Sequence, residues 1–316
     1  MMPNAKLKRK TLLVFDGNLL LHKAHGVHGW LGFNENGTKI KTGIPYGFLR
    51  TLVRLNGLYG PNCRNCIVFD ASCLPLVEGK EKEMPLGERR ELYPEYKKNR
   101  GALDQDIYNG KLLLDKFLKR VNATVVYASH EYEGDDVVAY VVKKYRSLCR
   151  KKSLAGRVVI VSDDKDFNQL VCDVKNFAVM VHRRGDKVMT DAKFCKQFGF
   201  SPDKFVTYLS LMGDANDDIP GIKGIGPKRA AELVINDFDA ISGNLCARDR
   251  VILERNMRLI RLFNSKKVVA RLDHCEFDKD ALLKVLKKYK MVSFLSDKDQ
   301  EVFEKMKRAK FLGGAI

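Results

Sequence analysis

Apolar residues run along this chain in short β-rich bursts that alternate with longer stretches of helical period. Thr11 to Phe15 is such a burst, closed by Asp16-Gly17-Asn18, which predicts a buried strand, a turn, and a helix starting over Leu19 to Val27. After a polar turn at Asn34 to Lys41, Phe48, Leu49, Leu52, Val53 and Leu55 recur at helical spacing within Ile44 to Leu58. Cys66 to Phe69 predicts a second strand, and it too ends in an aspartate, Asp70. A helix from about Tyr108 to Arg120 leads into a strand at Thr124 to Ala128, and Glu133-Gly134-Asp135-Asp136 heads an apolar helix through Val142. The strand Arg157 to Val161 ends in Ser162-Asp163-Asp164-Lys165-Asp166, and Phe177 to His182 turns through Arg184-Gly185-Asp186 into Lys187 to Thr190. Strands alternating with helices predict an α/β core, a mostly parallel sheet flanked by helices, over residues 1–190. Beyond about residue 190 the pattern turns helical and basic, which predicts a second, helical region over 191–316.

In parallel sheets, ligands collect beyond the carboxyl ends of the strands. Asp16, Asp70, the Glu133–Asp136 cluster and the Asp164/Asp166 pair each follow a different predicted strand, and Asp214, Asp217 and Asp218 crowd a later Gly/Asn-rich turn. One aspartate after a strand is ordinary turn chemistry. Several converging on one edge repel one another and must protonate or share a cation. The candidate ligands Asp16, Asp70, Glu133, Asp135, Asp136, Asp164, Asp166, Asp214 and Asp217 are all oxygen donors, which points to Mg²⁺ or Mn²⁺ rather than zinc. Two such ions, about 3.5–4 Å apart, supply a water-derived nucleophile and stabilise a departing alkoxide in phosphodiester hydrolysis. Directly after Asp217 comes a hairpin in which Gly221, Gly224 and Gly226 let backbone N–H groups approach a phosphate, with Pro227 opening a helix and Lys228 and Arg229 beside it. None of these groups reads a base, so the binding they offer is sequence-independent and salt-sensitive.

Composition narrows the partner. The 316 residues carry 57 Lys+Arg against 39 Asp+Glu, a net charge of +18 that is an electrostatic footprint for a polyanion. Residues 78–110 concentrate cations with Tyr93 and Tyr96 in a long charged excursion between core elements, where functional insertions sit. The eight cysteines are scattered, as in a reduced intracellular protein, and Cys63-x-x-Cys66 is half a zinc site with no second pair. His22, His25 and His28 share a drifting helical stripe without a carboxylate or cysteine to complete a metal site. No apolar run approaches the ~18 residues of a membrane span, and the N-terminus turns acidic too soon for a signal peptide. A cytoplasmic location is expected.

DGN at 16–18, VFD at 68–70, YPEYKKNR at 93–100, EGDD at 133–136, SDDKDFNQL at 162–170 and MGDANDDIPGIKGIGPKRA at 212–230 together resemble the flap endonuclease/5′-nuclease family of phage and bacterial type, in order over roughly residues 11–235. The resemblance implies a PIN-like core with a helical arch near 78–110 and a helix-hairpin-helix at about 205–235. It also implies a divalent-metal 5′→3′ exonuclease that cuts 5′ flaps in replication and repair. Lys97 and Arg100 correspond to the family's basic pair at the arch base, Arg89 to a further arch cation, and Lys23 to a cation near the cleaved strand. His22 stands where the family has a stacking Tyr or Phe, and Asp218 where Asn is common. The hairpin in this family also holds a monovalent cation such as K⁺. The implied partners are DNA with 5′ flaps, nicks or 5′ ends, with RNA–DNA hybrid and a replication polymerase compatible; a monomer without membrane attachment is expected. Two other readings stay open. A catalytically silent DNA-binding scaffold would keep the fold, but loss of catalysis should first erode the carboxylates; a PIN-type ribonuclease shares the acidic edge but lacks the hairpin and long arch.

Overall fold

The computed structural model describes residues 9–60, 62–74, 87–98, 104–236 and 245–309. Its centre is a sheet of nine strands. The first strand, β1 (Lys10–Asp16), lies between β4 (Arg64–Phe69) and β6 (Gly156–Val161), parallel to both. β5 (Ala123–Ala128) adds to β4 and β8 (Phe177–Arg183) adds to β6, again parallel, so four parallel strands in the order β5-β4-β1-β6 carry the four predicted acidic segments. Antiparallel β7 (Cys172–Val174) and β9 (Lys187–Met189) finish the β8 side.

Alternation along the strands divides the core in two. Leu13, Phe15, Ile67, Phe69, Val125 and Tyr127 face one layer of helices. That layer contains α1 (Gly17–His28), α2 (Gly43–Tyr59) and α4 (Gln105–Leu118). Leu12, Val14, Val68, Val126, Val158 and Ile160 face α5 (Gly134–Lys151), whose start is fixed by a reciprocal capping box between Glu133 and Asp136. The expected polar turn at Asn34 to Lys41 is a two-stranded hairpin, β2 (Gly32–Glu35) against β3 (Thr38–Lys41).

A third cluster holds the helical unit together: α6 (Asp191–Phe198), α7 (Phe205–Met212), α8 (Pro227–Ile235) and α9 (Ala247–Ile260) pack around Phe194, Phe205, Leu209, Leu253 and Ile260. The short α3 (Glu88–Leu92) and Tyr96 join this cluster from the base of the arch. Of the predicted arch near 78–110, residues 78–86 and 99–103, including Arg100, lie outside the described residues, and 105–110 are the first turns of α4.

The helical course expected to the C-terminus differs from the structure. Val269–Cys275 is a strand, β12, that pairs antiparallel with β5 from Cys275↔Ala123 to Val269↔Ala128. α10 (Lys279–Lys288) and α11 (Asp297–Lys305) then return Leu282, Leu286, Phe294 and Phe303 to the first core layer, and β13 (Lys307–Arg308) pairs with the start of β4. The last part of the predicted 191–316 region is therefore a piece of the α/β core. The physical reason is edge protection: without β12, β5 would be the open edge of the sheet.

Candidate metal-dependent active site

At the carboxyl ends of β1, β4, β5 and β6 the acidic segments meet. Asp16 is the N-cap of α1: its Oδ1 accepts from the Leu19 N–H (3.0 Å) and its Oδ2 from Ser162 Oγ (2.8 Å). Asp70 accepts from Asn18 Nδ2 (2.6 Å) and from the Gly134 N–H (2.6 Å), which ties the ends of β1, β4 and β5 together. Asp164 accepts from the Asp166 N–H (2.8 Å), so the turn after β6 presents both carboxylates. The turn after α7 supplies the last pair. There β10 (Gly213–Asp214) and β11 (Ile219–Pro220) form a two-residue ladder that holds Asp214 and Asp217 between them.

Carboxylate oxygens of Asp166, Asp214 and Asp217 lie within 4.8 Å of one another. Burial is the main cause that pushes Asp166 up to about 7, with the charges of Asp164, Asp214 and Asp217 adding to it. Burial likewise raises Asp16 to about 6, against its bonds to Leu19 and Ser162, and holds Asp135 well above the carboxylate range, with Asp16 and Asp164 next to it. Asp164 therefore links two halves of one cluster. Asp166 Oδ1 is buried and has no hydrogen-bond partner among the described residues. An unsatisfied anionic oxygen among like charges costs free energy that a divalent cation removes, so the donor set fits hard cations.

Cations of the chain reach into this cluster. Lys97 has a left-handed backbone (φ 51°), a strained conformation for a lysine, held where its N–H donates to the Asp217 carbonyl (3.1 Å). Its Nζ lies 2.6 and 2.8 Å from the two oxygens of Glu133 and 3.4 Å from Asp217. Lys165 Nζ pairs with Asp214 Oδ1 at 2.7 Å. Lys23 pairs with Asp163 (2.7 Å), which also accepts from the Arg184 N–H. Asp163 thus orients the Lys23 side chain.

Three expectations are corrected by burial. Asp136 is completely buried and accepts two 2.7 Å bonds from Arg89 and one from the Phe263 N–H, so it organises the helix start and does not face the cluster. Arg89, expected on the substrate path, is turned inward, bound to Asp136 and to the carbonyl of Leu259. Tyr96 is buried with its hydroxyl on Glu133 (3.0 Å), behind the cluster instead of on a strand-facing surface. Tyr93 is half-buried with the Arg255 guanidinium 4.4 Å from its ring centre, and His22 is exposed on α1.

The glycine hairpin follows the acidic turn directly. A side chain at Gly221 would meet the Met212 carbonyl at 2.1 Å, so this glycine lets two backbone segments touch. Gly224 has φ +80° at the exposed tip, and Gly226 caps α8, leaving Lys228 and Arg229 exposed in its first turn. Asn256, fully buried on α9, donates to the carbonyls of Ser210 (2.9 Å) and Pro220 (2.8 Å) and so pins the hairpin. Sequence reasoning missed Asn256, Ser162, Asn18 and Lys165. The last three carried a signal, since all sit inside the acidic motifs. Cys63 and Cys66 are buried in the core clusters on opposite faces of the sheet.

A carboxylate cluster at the end of a parallel sheet, joined to a helical hairpin unit, defines a metal-dependent nuclease. Residues 11–199 match the family model for the N-terminal resolvase-like domain of 5′-3′ exonucleases, and 200–274 that for their C-terminal SAM fold. The chain is 26% identical to the 5′-3′ exonuclease of Aquifex aeolicus over 96% of its own length and 100% of the relative's. It is 32% identical to DNA polymerase I of Treponema pallidum over 75% of this chain, which spans only 22% of the polymerase. In structure it is similar to the bacteriophage T5 flap endonuclease in a complex with DNA and metal ions (TM-score 0.56, 19% identity, 96% of this chain and 98% of the other). The chain belongs to the 5′-3′ exonuclease family.

Proposed function

We propose that this nuclease hydrolyses the phosphodiester at 5′ ends and at the base of 5′ flaps in DNA, using two divalent ions, Mg²⁺ or Mn²⁺. The observation that carries the reading is the group Asp166, Asp214 and Asp217, with the buried Asp166 Oδ1 left without a hydrogen-bond partner among the described residues. These three carboxylates would hold one ion; Asp16, Asp70, Glu133 and Asp135 would hold the other or its waters, with Asp164 between. When bound, the ions supply a hydroxide nucleophile at neutral pH and stabilise the leaving oxygen. Lys97, gripped by Glu133 and close to Asp217, would place a positive charge against the scissile phosphate. Arg100 belongs to the same proposal as its partner on the arch. Lys23 and His22 on α1 would lie along the cleaved strand.

Behind the cut, the Gly221–Arg229 hairpin would hold the duplex, through backbone N–H groups and the exposed Lys228 and Arg229, with K⁺ on its carbonyls. RNA–DNA hybrid, a replication polymerase partner and a monomeric state belong to the same proposal. The named Treponema polymerase, whose matching part is this chain's counterpart, supports the polymerase link. The test is a 5′-labelled flap and a nicked duplex incubated with Mg²⁺ or Mn²⁺, beside an Asp164→Asn/Asp166→Asn protein. Metal-dependent release of 5′ products is expected from the unaltered chain only, with a loss of at least about 10³-fold in the variant, the cost of removing electrostatic stabilisation of developing charge. Binding without cleavage by the unaltered chain would favour the silent scaffold.

A further inference from the structure

Beside the acidic cluster, between β8–β9 and α6–α7, lies a cavity of about 550 Å³. Its wall carries Lys165, Arg183, Lys187 and Lys193, and among the described residues no acidic side chain lines it. Among the described residues, Arg183, Lys187 and Lys193 have no carboxylate within ion-pair distance. Arg183 is held in place by donating from Nη2 to Asn168 Oδ1 (2.7 Å), while its Nε is buried and has no hydrogen-bond partner among the described residues. A guanidinium oriented by Asn168, flanked by the exposed Lys187 and by Lys193, whose Nζ donates to the Val188 carbonyl (3.0 Å), gives one wall of the cavity a positive charge that suits an anion. The opposite wall is apolar and partly aromatic: half-buried Phe198, braced by Phe194 at 4.4 Å between ring centres, with Phe205, Tyr208 and Met212 beside it. Volume and lining suit a small polar ligand with one flat apolar part.

We propose that this cavity is a nucleotide pocket, in which Arg183, Lys187 and Lys193 hold a phosphate and the Phe198–Tyr208 wall takes the base. Its position supports the assignment. Lys165 lines the cavity and also pairs with Asp214 at 2.7 Å, so the pocket adjoins the cluster that would perform the cut. The identity of the ligand as a nucleotide rests on the nuclease reading; the anion site itself does not. The nucleotide comes either from the DNA strand next to the cut or from a free mononucleotide such as the cleavage product.

Binding is measured by calorimetry in EDTA, where no cleavage occurs, with thymidine 5′-monophosphate, thymidine and inorganic phosphate as separate probes. The monophosphate is expected to bind saturably, and thymidine and phosphate at least about 10-fold more weakly, because each lacks one half of the contact. The exposed pair Lys187→Glu/Lys193→Glu, which leaves the fold intact, and Arg183→Gln are both expected to weaken the monophosphate about 10-fold or more. The proposal is overturned if the unaltered protein does not bind the monophosphate, if inorganic phosphate binds as tightly, or if both variants bind like the unaltered chain. A 5′-phosphorylated oligothymidine that displaces the monophosphate identifies the strand as the source; one that leaves it bound identifies the free nucleotide. Flap cleavage without monophosphate binding removes the pocket alone, and monophosphate binding without flap cleavage removes the nuclease reading alone.

Discussion

At the scale of single residues, the site is a set of carboxylates held where folding alone would not hold them. Asp16 is raised to about 6 and Asp166 to about 7, each chiefly by burial and then by neighbouring charge. In the metal-free protein these groups bind protons in the native state that the unfolded chain has already released. Between the ordinary carboxylate value of about 4 and about 7, the native state therefore holds more protons, and stability falls as pH rises through that window. A divalent ion reverses the sign, because it binds the deprotonated form and gains affinity as pH rises. Thermal unfolding in EDTA is thus expected to show a lower Tm at pH 7.5 than at pH 5.5 in this component, and Mn²⁺ is expected to stabilise more at the higher pH. Asp166→Asn isolates the effect: its EDTA melting temperature should depend less on pH than that of the unaltered chain. An equal or steeper dependence would remove Asp166 from the titrating cluster.

At the scale of elements, the motif residues sort by what the turns do with them. The sequence made the strand-ending aspartates legible, because a parallel sheet brings its carboxyl ends to one edge, and Asp16, Asp70 and Asp164 do end neighbouring strands. It did not reveal which acidic residue faces inward. Asp135 and Asp136 are adjacent on α5, yet one helical step of 100° sends Asp136 to Arg89 and Asp135 to Asp16 and Asp164. Arg89 then links α3, the start of α5 and the end of α9, through Asp136 and the carbonyls of Leu259 and Arg261. Removing one partner of a buried pair leaves an uncompensated charge. Arg89→Met should therefore cost about 3–5 kcal/mol in urea unfolding, and Arg89→Met/Asp136→Leu should recover part of that loss. If Arg89→Met instead unfolds like the unaltered chain and mainly weakens DNA binding, the guanidinium belongs to the substrate surface after all.

At the scale of the whole molecule, the chain leaves its sheet, builds the helical unit, and comes back. The return was illegible because Val269–Cys275 reads VARLDHC, where alternation is broken by Asp273 and His274 and the flanking lysines suggest a solvated helix. A strand at a sheet edge needs only one apolar face, and here tertiary pairing overrides the local pattern. Its consequence is that the catalytic edge depends on residues far beyond the acidic motifs. β12 covers β5, whose end leads to Glu133 and Asp135, while Leu282, Leu286, Phe294 and Phe303 are buried against the layer that holds α1 and α4. A chain truncated after Leu262 keeps every candidate ligand and the hairpin, yet exposes the β5 edge and loses these four buried side chains. Burial of each such side chain contributes about 1.5–3 kcal/mol, so their loss alone approaches the whole stability of an ordinary domain. The truncated protein is expected to aggregate or to melt without a cooperative transition, and a soluble product that unfolds at the full chain's Tm would show that β12 and the helices after it are dispensable decoration.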